Sequence, residues 1–257
     1  ALTMLTQYRI ATAEFAVRPF IEKYKDKMLD EMKNWAKSDN VHIRRLASEG
    51  CRISIPWGKK LEYIKNNPMK VIPILELLNS DSEEYVRKSV ANNINEISKI
   101  SPHIVIDLVK SWHGKSKETN WILKHGCRTL IKKGNNEIMN LLGLNTHHKA
   151  KINMLSIETK SLKKGEDLIF SFNLTNDSGE QSKIIISYEI IYPQLNGKAR
   201  SKIYKLSERT CSEGTISIKR KHKLTDTSGL KISPGIYYIY ILLNGTKMAN
   251  DEFNVKE

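Results

Sequence analysis

The sequence predicts two domains of different class, an array of paired α-helices followed by an all-strand antiparallel sandwich. Three observations predict it. Apolar residues recur at three and four positions from Ala1 to about Thr146, they alternate at two from Ile152 onward, and within the first part a pattern returns after 43 residues. A chain of 257 residues is long for one domain and comfortable for two. The expected division is a helical-repeat domain over 1–146, a linker over 147–152 and a strand domain over 153–257.

In the helical part the loops are short and Pro68 and Pro102 stand where helices start, since a helix's first turn has no use for the missing N–H. SDNVHIRRLASEG (38–50) aligns with DSEEYVRKSVANN (81–93) and superposes Arg44 on Arg87. The segment WILKHGCRTL (121–130) follows, with Lys124 a further 37 residues on, and such intervals suit paired-helix repeats of the HEAT type. Val86, Val90, Ile94 and Ile97 make one helical stripe and are expected in the core, with Ser89, Asn92, Glu96 and Lys99 opposite. In the earlier repeat Ile43, Leu46, Ala47 and Gly50 face inward and His42, Arg45, Glu49 and Arg52 outward. The chain opens directly on an apolar helical pattern, ALTMLTQYRI, without a polar end repeat, so earlier helices of the array are expected to be missing.

The second part reads as strands such as IIISYEIIY (184–192) and GIYYIYILLNG (235–245), punctuated by NDSG, NGK and DTSG turns. Between the parts, NTHHKAK (145–151) is polar and lacks a carboxylate or thiol at ligand spacing from its two histidines, which favours a solvated linker over a metal site.

Charge points to the partner. Lys and Arg number 42 against 28 Asp and Glu, a net charge of +14, and the two parts carry +8 and +6. A polyanion is the first partner to consider for both. The longest nearly apolar run, Val71–Leu78, contains Glu76 and is too short to span a bilayer. Cys51, Cys127 and Cys211 are odd in number and widely spaced, so neither a disulfide framework nor a zinc site is expected, and a reducing cytoplasm is the expected compartment. No phosphate-loop, dinucleotide-turn, zinc-helix or nucleophile-elbow motif occurs. Neither metal nor cofactor is expected, and a monomer is the default, since each domain supplies its own core.

In helical register the outward rows present a basic strip of Arg45, Arg52, Lys88, Lys132 and Lys133, with Glu49 and Glu96 embedded in it. A surface that only held phosphates would gain nothing from those carboxylates. On pattern alone two readings stand level: catalytic acids, or ion pairs of Glu49 with Arg45 and of Glu96 with Lys99 or Lys88. Arg18, Arg44, Arg87, Lys124 and Arg128 complete the candidate phosphate contacts of the array, although Arg44, Arg87 and Arg128 lie on the flank of the apolar stripe, where pairing with a neighbouring repeat competes. In the strand domain, KRKHK (219–223) places Lys219, Lys221 and Lys223 on one face, either to grip a DNA backbone or to protect a sheet edge.

Four blocks carry a resemblance. EFAVRPF (14–20), IRRLASEG followed by PWG (43–58), YVRKSVANNINEISK (85–99) and LKHGCRTLIKKG (123–134) resemble, in order, the AlkC branch of the AlkC/AlkD DNA alkylation-repair glycosylases. The resemblance spans nearly all of the helical part, and GIYYIYILLNG is similar to the closing strands of the immunoglobulin-like domain that follows the HEAT-like array in several AlkC-type members. It implies hydrolysis of the N-glycosidic bond of cationic N3-alkylated bases, such as 3-methyladenine and 3-methylcytosine, in double-stranded DNA, by a monofunctional base-excision-repair enzyme acting on an open concave surface in the bacterial cytoplasm. A base that already carries positive charge departs neutral, so the enzyme must chiefly stabilise an oxocarbenium-like sugar and place a water, and a carboxylate serves both ends.

By motif the resemblance assigns Glu96, Glu49 and Glu14 as the acidic groups near the lesion and Trp57 as the ring against the sugar or base. Glu96 stands where the family's pattern has aspartate, keeping the charge and adding a methylene. Without the resemblance, Trp57 reads as a lid over the core. Trp35, Trp112 and Trp121 read as core or partly exposed packing residues. Both domains are expected to clamp the duplex. The alternative from another class is a non-catalytic scaffold of the same architecture that binds nucleic acid or protein.

Overall fold

The structure, a computed structural model, describes residues 13–144, 149–193 and 199–256. The chain divides into two compact units, Ala1–Ile131 and Lys132–Glu257. Ten α-helices occur among the described residues, followed by eight strands. The opening segment 1–10, the NGK turn and the histidines of NTHHKAK lie wholly or largely outside those residues.

In the first unit α1 (Ala13–Tyr24), α2 (Asp26–Trp35) and α3 (Val41–Gly50) precede two short helices, α4 (Glu62–Asn66) and α5 (Ile72–Leu77), the last entered through a 3-10 turn beginning at Pro68. Then come α6 (Glu84–Ile100), α7 (Pro102–Trp112), α8 (Lys117–Gly126) and α9 (Arg128–Lys132). Local chemistry sets the starts: Asn40 Oδ1 accepts from His42 N at 2.9 Å, Ser116 Oγ accepts from Thr119 N at 3.0 Å, and Pro102 takes the first position of α7. The expected stripe of Val86, Val90, Ile94 and Ile97 is fully buried, as are Leu46 and Ala47, while Ile43 is only half-buried.

The helices α3, α6 and α8 pack side by side. Two glycines at helix ends permit close packing, Gly50 of α3 against α1 and Gly126 of α8 against α6. A Cβ on Gly50 would stand 2.5 Å from Val17 Cγ1, and one on Gly126 2.8 Å from Ile94 Cγ2.

In the second unit α10 (Asn136–Leu141) precedes β1 (Lys151–Ile157), β2 (Ser161–Lys163), β3 (Asp167–Asn176), β4 (Ser182–Tyr192), β5 (Arg200–Cys211), β6 (Gly214–Lys223), β7 (Gly235–Leu243) and β8 (Thr246–Lys256). Two sheets form, ordered β1-β3-β6 and β2-β8-β7-β4-β5, antiparallel except for β2 beside β8. Alternation puts Leu168, Phe170, Phe172 and Leu174 of β3 into a core shared with Ile186, Ile190, Ile239, Ile241, Phe253 and Val255. This is the immunoglobulin-like sandwich the closing strands suggested.

Candidate active site

Helices α3 and α6 bring the two central carboxylates into one network. Glu49, in the last turn of α3, is 6% exposed, and its Oε1 lies 2.5 Å from Arg52 Nη1. Its Oε2 accepts from Ser89 Oγ at 2.7 Å and stands 3.7 Å from Arg45 Nη2. The other end of the Arg52 guanidinium, Nη2, is 3.9 Å from Glu96 Oε1, which also meets Lys99 Nζ at 2.8 Å. One arginine thus stands between the two carboxylates. Both intrahelical pairs anticipated from spacing are present, Arg45 with Glu49 and Glu96 with Lys99, while Lys88 pairs instead with Glu84 at 2.7 Å.

The two acids differ in what they leave open. Glu49 has both oxygens engaged and is buried, partly by Ser89, which the helical stripe had placed outward and which is 1% exposed because α3 packs over it. The hydrogen bond and ion pairs of Glu96 to Arg52 and Lys99 fall on Oε1, and its side chain is 15% exposed against 8% for that of Glu49, so it is the more accessible acid.

Beneath the carboxylates, buried asparagines set the register of the helices. Asn93 Nδ2 donates to Ser48 O at 3.0 Å across the α3–α6 contact, and Asn95 Oδ1 accepts from Thr129 Oγ1 at 2.8 Å across to α9. Sequence reasoning missed Ser89, Asn93, Asn95 and Thr129. The available signal was an asparagine at each flank of the apolar stripe of α6, where burial demands a partner.

Trp57 is fully exposed, so it does not cover the core. It occupies the third place of a turn closed by Gly58 N donating to Ile55 O at 3.1 Å, with φ +60°, where type II turns favour glycine. Holding a large side chain there costs about 1–2 kcal/mol in backbone strain. The surroundings impose it. A Cβ on Gly58 would meet Ile55 Cγ1 at 2.5 Å and Phe15 Cε1 at 3.5 Å, so the turn closes tightly against α1.

Arg18 fastens this turn, and the phosphate contact expected of it is corrected. Its Nε and Nη2 donate to Lys59 O at 3.0 and 2.6 Å, Nη1 to Arg52 O at 2.7 Å and Gly50 O at 3.4 Å, and Nη2 to Ile53 O at 3.0 Å. All five N–H groups are consumed by backbone carbonyls, and burial lowers the guanidinium's pKa below its ordinary value. Arg18 holds the chain on both sides of Trp57 and directly behind Arg52.

Arg44 is likewise drawn into the fold. It is bidentate to Asp81 at 2.6 and 3.2 Å and donates to Ser38 O and Asp39 O, both at 3.0 Å, so the neighbouring repeat claims it. Arg87 donates to Asp81 O and Ser82 O at 2.7 and 2.6 Å. Arg128 remains exposed and bridges repeats, donating to Asn92 Oδ1 at 3.0 Å and to His125 O at 2.7 Å. Its pKa is lowered by burial and by Arg52, with Glu96 acting in the opposite sense, so its charge is felt at the carboxylate network. Lys124 lies exposed on α8, and Glu14 is half-buried in the first turn of α1.

In the second unit Lys132 and Lys133 are exposed, with Lys202 depressing the pKa of Lys132 after burial. The strand β6 is the edge of its sheet. Lys219, Lys221 and Lys223 are exposed on one face, where Lys219 pairs with Glu158 and Lys221 with Asp167 at 2.8 Å. No described helix is long and apolar enough to cross a membrane.

Residues 11–130 match the family described as DNA alkylation repair enzyme, and residues 151–257 match the C-terminal Ig-like domain of the uncharacterised protein YhaZ. YhaZ of Bacillus subtilis (strain 168) is 38% identical over 256 residues, which cover 99% of this chain and 71% of that protein. The alkylpurine DNA glycosylase AlkC of Pseudomonas fluorescens, solved bound to DNA containing an abasic site analog, is 33% identical, with a TM-score of 0.93 over 98% of this chain and 71% of its own.

Proposed function

The chain belongs to the AlkC-type DNA alkylation repair enzymes, and on that premise we propose that it hydrolyses the N-glycosidic bond of cationic N3-alkylated bases in duplex DNA, 3-methyladenine and 3-methylcytosine among them. The observation that carries this reading is the pair of carboxylates, Glu49 and Glu96, held on neighbouring helices by one guanidinium within a basic surface.

An N3-alkylated base leaves with the bonding electrons and becomes neutral, so no proton donor is required at the leaving group. The deficit appears on the sugar. Glu96, the more accessible of the two acids, is the principal carboxylate. It faces the developing oxocarbenium charge at C1′ and orients the water whose oxygen forms the new bond, taking up that water's proton as the abasic sugar forms. Glu49 has no oxygen to spare. It fixes Arg52 and through it the position of Glu96, with Ser89 and Arg45 holding Glu49 itself. Trp57, presented by the Arg18-braced turn, supplies a face for the sugar or base, and Glu14 adds negative potential from α1.

Arg45, Lys88, Lys124 and Arg128 neutralise phosphates from the helical array, and Lys132 with Lys219, Lys221 and Lys223 does so from the second unit, whereas Arg52, turned onto the two carboxylates, is a positioning residue and not a phosphate contact. The product is an abasic site, and a lysine nucleophile is not invoked. The experiment that tests the reading is chromatographic detection of free 3-methylated base released from methylated duplex DNA.

A further inference from the structure

One part of the first unit is not used by this chemistry. Tyr85, Ser89, Asn92 and Glu96 share one face of α6, so Tyr85 lies on the carboxylate face, eleven residues and about 16 Å from Glu96 along the axis. Tyr85 is 46% exposed, and Arg45 of α3 covers its ring with Cζ 4.5 Å from the centroid, while His42 meets it edge-on at 5.7 Å. The next helix repeats the arrangement. Trp121 of α8 is 36% exposed, stacks on His125 at 5.2 Å with planes 4° apart, and has Arg87 of α6 at 5.9 Å. Two adjacent helices, α6 and α8, therefore each carry a partly exposed ring backed by a cation from the helix packed beside it.

Neighbouring helix axes stand about 8–10 Å apart. Consecutive bases of a duplex strand are stacked about 3.4 Å apart and hidden by pairing, so rings on adjacent helices do not match them. Bases splayed from an unpaired strand do, because an aromatic face backed by arginine accepts any base by stacking. We propose that Tyr85 and Trp121 form a stacking platform for unpaired DNA, which lets this protein engage a single strand whose lesion lies at Glu96. The inference rests on the glycosylase reading for its end-point at Glu96, and the platform itself does not. It also fits the chemistry of the lesion, since N3 of cytosine lies on the pairing edge and an alkyl group there abolishes the pair.

The test is fluorescence anisotropy of the full chain with an unmodified single-stranded oligonucleotide and with the duplex of the same sequence. Replacing both rings, Tyr85→Ala with Trp121→Ala, is expected to weaken single-strand binding about tenfold or more and duplex binding by less than about twofold, and Tyr85→Phe with Trp121→Phe to restore the single-strand affinity. If the alanine pair does not fold, the leucine pair, which keeps apolar bulk without a π face, is read in its place. Equal losses on both DNAs, or none on the single strand, would overturn the proposal. Base release by the unaltered protein is scored separately, so a protein that stacks single strands without releasing base would defeat the glycosylase reading and leave the platform standing.

Discussion

Arg44 and Arg87 make the same two bonds one repeat apart: each sends Nη1 to the carbonyls six and five residues before it, Ser38 and Asp39 for the first, Asp81 and Ser82 for the second. The first also grips the Asp81 carboxylate, so the loop that receives Arg87 is held by Arg44. The repeat visible in the sequence is thus a mechanical linkage, in which each repeat's arginine fixes the entry of its own helix and one of them locks onto its neighbour.

Asp81 is the joint of that linkage. Its side chain is 4% exposed, takes both Arg44 bonds, and accepts from Glu83 N at 2.9 Å. Asp81→Asn should cost about 2–4 kcal/mol, because it leaves Arg44 partly buried with its charge unmatched. Denaturant unfolding of both proteins checks this, and an unchanged midpoint would show that the joint does not carry stability.

Arg52 reaches both acids through the two ends of a planar fork. An ammonium is a single point, so Arg52→Lys keeps the charge while giving up one of the two carboxylates. Base release should slow about 10–100-fold with duplex affinity within about threefold, the pattern of lost positioning. Parallel losses in rate and affinity would assign Arg52 to phosphate binding alone.

Trp57 separates stability from function. Its side chain buries nothing and its backbone is strained, so Trp57→Gly should change stability by less than about 1 kcal/mol in either direction. Base release should fall by about tenfold or more, since one ring against sugar or base contributes about 1–3 kcal/mol. Thermal melts and single-turnover rates on the same preparations check both halves.

His222 gives the strand domain a pH signature. It sits between the sheets with Nδ1 2.8 Å from Tyr188 Oη, and burial, then Lys202, lowers its pKa to about 4. Above the unfolded value near 6.5 the ring is neutral in both states and costs nothing. As pH falls from there toward 4, the unfolded chain takes a proton the folded one refuses, and stability drops. The melting temperature should be lower at about pH 5 than at about pH 7.5, and His222→Gln should shrink that difference.

The sequence was most legible where an interaction lies within one helix or one strand. The spacing of Arg45 to Glu49 and of Glu96 to Lys99 is enough to write both pairs, and alternation alone locates the core face of β3. Contacts made between elements were not legible. Nothing local says that Arg18, in a segment that reads as surface, will be buried by the 50–59 loop folding over it, or that Arg52 will reach from the end of α3 to Glu96. The flank position of Arg44 did leave open a partner in the next repeat, which Asp81 supplies.

The most direct measurement is single-turnover release of 3-methylated base from methylated duplex DNA by this chain and by its Glu96→Gln and Glu49→Gln variants. With Glu96 as the principal carboxylate, Glu96→Gln should lower the rate about 10²-fold or more while leaving duplex binding within a few-fold, and Glu49→Gln should lower it less. Full activity of Glu96→Gln, or no release by the unaltered protein, would contradict the account.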